Sequence, residues 1–317
     1  MLGWILHKHS NFLLKPETYE IKKLIEEGKK VGIQILVFQP EQIEIIVNRD
    51  DRKSIFVNDS LVPLPDFIIP RMGAGTTYFA LALIRHLEKL GVYSFNSANS
   101  IDTVKDKLYQ LQILAESGMP IPKTMLAKFP LDLEIVSKHI GFPVVVKTIS
   151  GSQGSGVFLC ETLQSLDELM HMVENSNPNV NLIFQEFIKA SYGKDLRVVT
   201  VGGRVVGAML RTASDGSFKA NYSRGGAVKK FDITPEIERL VMGIVRKLDL
   251  DIAGIDLLFD DDGYKICEVN SSPGFEGLEL ACEKNIAMEI IQFVKYRLGL
   301  KSVGKSSYRY HIDNYFG

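Results

Sequence analysis

From Gly254 to Asn270 the chain reads GIDLLFDDDGYKICEVN, two apolar runs closed around an Asp-Asp-Asp-Gly turn. That pattern dictates an antiparallel hairpin. Alternate side chains of a strand share a face, so Glu268 and Asn270 point one way, while Cys267 and Val269 point the other and read as core. A hairpin symmetric about Asp262 sets Asp256 directly opposite Glu268. Two carboxylates and an amide then occupy one patch of sheet. Facing carboxylates repel, and burying either costs on the order of several kcal/mol. A hard cation relieves this, since magnesium prefers oxygen ligands and takes one or two carboxylates plus substrate phosphates. The same residues also suit an open, solvated sheet face, and the hairpin alone does not choose between the two.

The hairpin lies late in a chain of alternating elements. Over the first hundred residues, the apolar runs GWILH, VGIQILVF, DFIIP and VYSFN are separated by the amphipathic stretches PETYEIKKLIEEG and TTYFALALIRHLEKLG. Strand and helix in alternation argue a parallel, doubly wound sheet. Pro16 stands near the start of the first helix and Gly28 at its end, and Gly91 ends the second. Between DFIIP and the second helix, a loop carries Arg71, Gly73 and Gly75 at the carboxyl end of a strand, the usual ligand edge of open α/β sheets. A plain strand-to-helix turn explains that loop equally well. Further on, IDTVKDKLYQLQILAESG reads as one helix, and Ser165 with Glu168 as the capping box of another. DLRVVTVGGRVVGAMLRT reads as strands around a Gly-Gly turn, Thr234-Pro235 as a helix start, and CEKNIAMEIIQFVKYRLG as a last helix.

Bulk properties narrow the class. The 317 residues are 45% hydrophobic, enough for two or three domains. Lys+Arg number 37 against 38 Asp+Glu, a balance that calls for neither nucleic acid nor an anionic membrane. Cys160, Cys267 and Cys282 are too few and too scattered for a disulfide framework or a zinc site. The opening MLGWILHKHS is an apolar strand broken by histidines and lysine, not a signal peptide. No apolar run is long enough to cross a bilayer. A soluble chain in the reducing cytoplasm is expected.

One loop stands out for phosphate chemistry. GSQGSG, Gly151 to Gly156, joins two strands and lacks the Gly-Lys-Ser/Thr ending of a P-loop. The spacing of Gly151, Gly154 and Gly156 does not fit the dinucleotide fingerprint either. A glycine-rich loop between strands can instead fold over phosphates, its backbone N–H groups binding the anion. Lys147, at the end of VVVK just before it, either snorkels to water or neutralises an anion.

Taken in order, the motifs are DKL around Lys107, VVVK at Lys147, GSQGSGV, FQEFI, GKDLR from Gly193 to Arg197, FKANYSRGG, AGIDLL and EVNSSPGFEG. With them the chain resembles the ATP-grasp carboxylate–amine ligases, most closely the RimK-type α-L-glutamate ligases. The likeness runs to about Leu300 and includes the IPRMG loop. EVNSSPG is also found in D-alanine ligases, so it marks the superfamily rather than the substrate. The resemblance implies an α/β chain with α+β character in its C-terminal part. A doubly wound pre-grasp domain would span residues 1–99, a central lobe with the glycine flap 100–187, a C-terminal lobe with the metal site 188–300, and a tail 301–317. The two lobes would clamp ATP.

Residue by residue, the resemblance puts Lys107 and Lys147 on the α- and β-phosphates, under a flap that includes Gly151, Gly154, Ser155 and Gly156. Gln185, Glu186, Phe187 and Ile188 form the adenine hinge, with Phe187 where many relatives carry tyrosine. Asp195 binds ribose hydroxyls, Arg197 belongs to the same nucleotide site, and Lys219 and Asn221 reach the phosphates. Asp256, Glu268 and Asn270 hold magnesium, with two ions expected and manganese as a substitute. Arg71, Ser272 and Gly274 fall on the substrate side.

Such chemistry suits these residue types. A carboxylate is a poor electrophile, so the family converts it to an acyl phosphate with ATP and lets an amine displace phosphate. Phosphoryl transfer between anions needs charge neutralisation and alignment. Arg211 and Arg224, with Asn221 nearby, are candidates for stabilising the acyl phosphate or gripping a substrate carboxylate, because guanidinium matches both shapes. Either arginine could instead be a surface charge at a strand edge. The expected partners are L-glutamate and an acceptor carboxylate on a protein C-terminus, peptide or coenzyme, handled by a homo-oligomer. None of the six histidines lies in these motifs, and no general base stands out. A ligase for another amino acid and a nucleotide-binding module without turnover are the alternatives. Retention of both lysines and all three oxygen ligands argues against the latter.

Overall fold

The computed structural model describes residues 1–8, 18–47, 54–57, 59–148, 156–214, 216–220 and 225–299. Its first unit contains strands β1 (Leu2–Leu6), β2 (Gln34–Phe38), β3 (Ile43–Ile45), β4 (Ile55–Val57), β5 (Ser60–Leu61), β6 (Phe67–Pro70) and β7 (Tyr93–Ser94), with helices α1 (Thr18–Lys30) and α2 (Tyr78–Lys89). The order β2-β1-β6-β7 is parallel throughout, as the alternating pattern predicts. Trp4, Leu6 and Ile68 bury one face against Leu83, Ile84 and Leu87 of α2. On the other face, Ile5 and Phe67 pack against Ile21 and Leu24 of α1. The small antiparallel sheet β3-β4-β5 was not legible in the sequence. Gly28 does not end α1: it lies inside the helix, where an added Cβ would sit 2.8 Å from Ile35 Cδ1. The glycine is there because β2 packs directly on the helix backbone.

The second unit starts with α3 (Ala98–Lys105) and α4 (Lys107–Glu116) and continues through β8 (Thr124–Ala127), α5 (Leu133–His139), β9 (Val144–Thr148), β10 (Val157–Cys160), α6 (Leu163–Ser176) and β11 (Leu182–Glu186). The single helix expected over 101–118 is broken. Asp106 leaves helical geometry and accepts hydrogen bonds from the N–H groups of Leu108 and Tyr109 at 2.9 and 3.0 Å, starting a new helix at Lys107. Thr162, not Ser165, caps α6; Ser165 is the residue that answers it at the third helical position. The antiparallel sheet β10-β9-β11-β8 packs Val144, Val146 and Phe184 on Val136, Leu166 and Met170, a core of its own.

The third unit contains β12 (Lys194–Val201), β13 (Arg204–Thr212), β14 (Ala227–Lys230), α7 (Pro235–Lys247), β15 (Ile252–Asp260), β16 (Gly263–Asn270), α8 (Glu276–Cys282) and α9 (Ile286–Arg297). Its antiparallel sheet runs β14-β13-β12-β15-β16. Ile237, Val241 and Ile244 of α7 cover one face through Ile255, Leu257, Ile266 and Val269. The expected last helix is α9 and starts only at Ile286, because Glu283 takes a left-handed conformation (φ 51°) that ends the unexpected short helix α8, and Asn285 caps a fresh start. Ile290, Ile291 and Val294 of α9 return to the first unit and share its core with α1. First and third units thus share one apolar core; α3 and α4 join the cores of their neighbours through Ala98, Ile101, Val104 and Leu114, and only the rest of the second unit keeps a separate core.

Candidate active site

The β15–β16 hairpin does pair Asp256 with Glu268, but not by symmetry about Asp262. Pairs from Asp260↔Gly263 to Leu257↔Ile266 close around a two-residue turn, and the register then shifts by one between Asp256 and Leu257. Cys267 is the extra residue of this β-bulge. Were the register of the turn to continue unshifted, Cys267 would stand opposite Asp256, and Glu268 would pair with Ile255 and point to the opposite face. The bulge also overturns the expectation that Cys267 is core: its Sγ lies 3.9 Å from Lys147 Nζ, on the site face. From β16, Ile266 and Val269 are buried in the core, with Tyr264 packed against it. Burial pushes the Cys267 thiol up, Lys147 opposes this, and Glu268, Asp256 and Asp195 add to it. That thiol therefore stays protonated.

Across the sheet, charges alternate in sign. Asp195 on β12 stands opposite Arg211 on β13, and Arg197, two residues on, stands opposite Asp256 on β15. Arg197 donates through Nε and Nη2 to the two oxygens of Asp256, both at 2.7 Å. Arg211 donates likewise to Asp195 at 2.6 and 2.7 Å, and its Nη2 lies 3.0 Å from Asp256 Oδ2. These are fork-to-fork pairs, the strongest arginine–carboxylate geometry. Burial alone would raise Asp256, yet Arg197 and Arg211 hold its carboxyl down at about 2. Asp195, with burial raising it and the Asp256 charge adding to that, sits above its ordinary value.

Lysines close the other side. Lys107 is the first residue of α4, so it projects from a helix N-terminus, where backbone N–H groups already favour anions. Burial lowers its pKa, Glu268 opposes that and Lys147 adds to it, so Lys107, Lys147 and Glu268 share one space. Lys147 reaches the site from β9 of the second unit, steered by a hydrogen bond of 2.7 Å to Gln185 Oε1. Thr124 Oγ1 accepts from the other end of the same amide at 2.9 Å. Gln185 is thus buried beneath the lysine, a positioning contact that the hinge expectation did not contain.

Other expected residues fall around this centre. Glu186 accepts from Lys265 Nζ at 2.6 Å and from the Lys123 N–H at 2.9 Å, tying the second unit to β16. Phe187 packs edge-on against Tyr192 and Phe218, and Ile188 is buried. The Lys219 ammonium lies over the rings of Phe218 and, across the cleft, Phe158. Gly156 is left-handed (φ 69°) where the loop re-enters β10. Arg71 reaches over the Phe275 ring at 5.7 Å, just past Ser272 and Gly274. Gly151, Gly154, Ser155, Asn221 and Arg224 lie outside the described residues.

Two contributors had no sequence signal. Glu20 of α1, buried, accepts from the Phe275 N–H at 2.9 Å and so fixes the turn after β16. Asn96 uses its whole amide there. Nδ2 donates to the carbonyls of Ile252 and Ser271, both at 2.8 Å, and Oδ1 accepts from Asp251 and Ile252 at 2.6 and 2.9 Å. Both act over more than 150 residues of separation, beyond the reach of any local pattern.

Lysines, arginines and an acidic strand pair from the packed units thus meet in one cleft. Residues 104–294 match the RimK-like ATP-grasp domain and residues 12–101 the RimK PreATP-grasp domain. A protein of Trichodesmium erythraeum called "Probable alpha-L-glutamate ligase" is 36% identical over 290 residues, 91% of this chain and 96% of its own. One of the same name from Legionella pneumophila is 34% identical over 297 residues, 93% of this chain and 97% of its own. The chain belongs to the RimK-like ATP-grasp family. The fold is also that of ATP-grasp ligase PsnB, solved with a precursor variant, Mg and ADP, at TM-score 0.70 and 17% identity, covering 93% of this chain and 98% of that one.

Proposed function

We propose that this ligase transfers the γ-phosphoryl group of ATP to an acceptor carboxylate and joins the resulting acyl phosphate to the amino group of L-glutamate. The acceptor oxygen forms the new P–O bond as the β–γ bridge breaks and ADP leaves. The amine then attacks the acyl carbon, phosphate departs with the C–O electron pair, and the ammonium proton passes to solvent. The observation that carries this reading is the convergence of Lys107, Lys147, Arg197 and Arg211 on Asp195, Asp256 and Glu268. Four cations against three carboxylates leave a cleft suited to a polyanion. The names of the relatives favour glutamate as the amine.

The residues fit magnesium. Asp256 is ionised, as a ligand must be, and its Oδ1 keeps a lone pair beyond the one Arg197 uses, while Oδ2 meets both arginines. Glu268 faces it, Asn270 follows two residues later opposite Gly254, and the Asn270 amide nitrogen is buried with no hydrogen-bond partner among the described residues. Among the described residues no three His, Cys, Asp or Glu side chains are placed to hold a metal ion by themselves, so substrate phosphates would have to complete the shell. Asp256, Glu268 and Asn270 would hold two magnesium ions, for which manganese can substitute. A bound ion supplies charge neutralisation at the phosphates. Lys107 and Lys147 hold the α- and β-phosphates. Arg211, and by the resemblance Arg224 with Asn221, would act on the acceptor carboxylate, while Arg71 and the Ser272–Gly274 turn border the substrate side.

The test is incubation of the protein with ATP, magnesium, single amino acids and candidate peptide or coenzyme acceptors, read by mass spectrometry and ADP release. Acceptor mass rising by one glutamate residue, with ADP and phosphate formed together, is expected. AMP release would contradict the acyl-phosphate route. Glu268→Gln should abolish turnover with the melting temperature unchanged.

A further inference from the structure

The residues that follow Asn270, Ser271 to Phe275, form a turn pinned at both ends and in its middle. At its start the Ser271 carbonyl accepts from Asn96 Nδ2 at 2.8 Å. In its middle Pro273 lies on the backbone of β15, where a Cβ added to Gly254 would sit 2.6 Å from Pro273 Cβ. At its end Glu20 Oε1 accepts from the Phe275 N–H at 2.9 Å and from the Glu276 N–H at 3.4 Å. Glu20 belongs to α1 of the first unit, 255 residues away from Phe275. Helix α8 begins at Glu276, and its own N-cap residue, Phe275, supplies no side-chain acceptor. A local serine, threonine or asparagine would satisfy those N–H groups without burying a charge. The chain instead commits a carboxylate that is 4% exposed, beside Glu276, whose carboxyl is pushed up by burial and then by the Glu20 charge. Burying a carboxylate is unfavourable, but this one does what a local cap cannot, since it fixes the distance from the turn to the first unit.

We propose that Glu20 is a positioning residue, setting the Ser272–Gly274 turn against Arg71 so that both meet a carboxylate of the substrate. The first unit takes hold of Phe275 twice. Glu20 binds its N–H, and the Arg71 guanidinium lies 5.7 Å from the centre of its fully buried ring. A Cβ added to Gly274 would sit 3.3 Å from Glu20 Oε1, so the carboxylate lies directly against the turn. The lysines proposed for ATP come from the second unit, on α4 and β9. Glu20 therefore acts on recognition of the carboxylate substrate, not on nucleotide affinity. A carboxylate is carried by L-glutamate and by the acceptor alike, and the measurements below separate the two. This inference rests on the ligase reading above.

The experiment uses the full chain and the variants Glu20→Ala, Glu20→Gln and Tyr19→Phe. Tyr19 donates to Glu279, within α8, at 2.6 Å. Tyr19→Phe removes that bond and keeps the ring against Phe275, so it loosens the same helix without releasing the turn. Melting temperature is recorded for each variant, ATP affinity by calorimetry, and kcat and KM for glutamate and for the best acceptor by ADP release. Glu20→Ala should raise KM for at least one of the two carboxylate substrates about tenfold or more. Whichever KM rises names the substrate that the turn holds. ATP affinity should stay within about twofold of wild type, since distant sites without shared partners do not couple. Glu20→Gln keeps a carbonyl oxygen for the two N–H groups and should return KM to within about threefold of wild type. Tyr19→Phe should lower the melting temperature and leave both KM values unchanged. The inference is overturned if neither KM moves in Glu20→Ala, or if ATP affinity falls in step with it. It is equally overturned if Tyr19→Phe reproduces the effect, which would reduce Glu20 to a cap for α8. Should Glu20→Ala fail to fold, Glu20→Asp, one methylene shorter, must show the same split of raised KM and unchanged ATP affinity. Wild-type protein that releases no acceptor-dependent ADP defeats the ligase reading itself, an outcome distinct from variants that behave like an active wild type.

Discussion

Asp251 and Asp256 lie five residues apart, one just before β15 and one within it, yet burial has opposite outcomes for them. Asp256 is held at about 2 because Arg197 and Arg211 overcome its desolvation. Asp251 is pushed up to about 6, since burial dominates and its direct partner is the Tyr93 hydroxyl, 2.9 Å away, with Arg297 helping only from behind that phenol. Around Asp251 are Glu88, Tyr93, Ser97, Asp249 and Arg297, lining a polar cavity of about 380 Å³ where the first unit meets the third. The lesson is that burial does not decide the charge of a carboxylate. What decides it is how many cations reach it directly: Asp256 meets both Arg197 and Arg211, whereas Asp195, forked by Arg211 alone, still sits above its ordinary value, and Asp251 has no fork at all.

The largest expected effect comes from breaking the favoured side. Arg197→Met removes the fork from Asp256 and leaves the carboxylate with Arg211 alone, which is expected to cost about 3–5 kcal/mol in urea unfolding. Turnover should fall about 100-fold or more, because the charge pattern of the proposed phosphate site is lost. If stability and rate both stay near wild type, the arginine does not control Asp256.

A smaller effect of opposite sign is expected at Asp251. Its folded value lies above the unfolded value, so the folded state binds more protons between pH 4 and pH 6, about, and stability falls as pH rises through that window. Asp251→Asn removes this loss. Its stability should match wild type below pH 4 and exceed it by about 1–2 kcal/mol above pH 6, after allowance for partial exposure. Asp256 works in reverse: its contribution is complete above pH 4, about, and disappears as pH falls toward 2. A stabilising effect of Asp251→Asn that is independent of pH would break the comparison.

Two lesser changes sharpen it. Tyr93→Phe deletes the hydroxyl that donates to Asp251, so it should lose about 1 kcal/mol, more at pH 8 than at pH 5, because the bond is stronger to the ionised acid. Cys267→Ser should change stability by less than about 1 kcal/mol and leave ATP affinity within about twofold, since the bulge rather than the sulfur sets the register. A large loss at Cys267 would mean that the thiol itself supports Lys147.

Local chemistry was legible wherever the cause is local. The Gly202-Gly203 turn, with φ of 56° and 73°, follows from two glycines between alternating strands. Thr234 and Pro235 start α7 for reasons contained in those two residues. The opposed pair Asp256 and Glu268 was reached from the hairpin pattern, but through a symmetry the molecule does not have. A bulge depends on how two strands settle against the rest of the sheet, so Cys267 read as core from the sequence and is found beside Lys147.

By itself, then, the sequence determined the alternation of elements, the turns and caps, and the set of charged side chains available to the cleft, since each of these is written in neighbours along the chain. Only the tertiary structure decided which charge meets which. Arg197 lies 59 residues from Asp256, Lys147 reaches Cys267 across 120, and Asn96 binds the start of β15 across 156. Contacts at such separations are fixed by strand register and by the packing of whole units, and with them come the burial and the electrostatic field that hold Asp256 charged and leave Asp251 ready to take a proton.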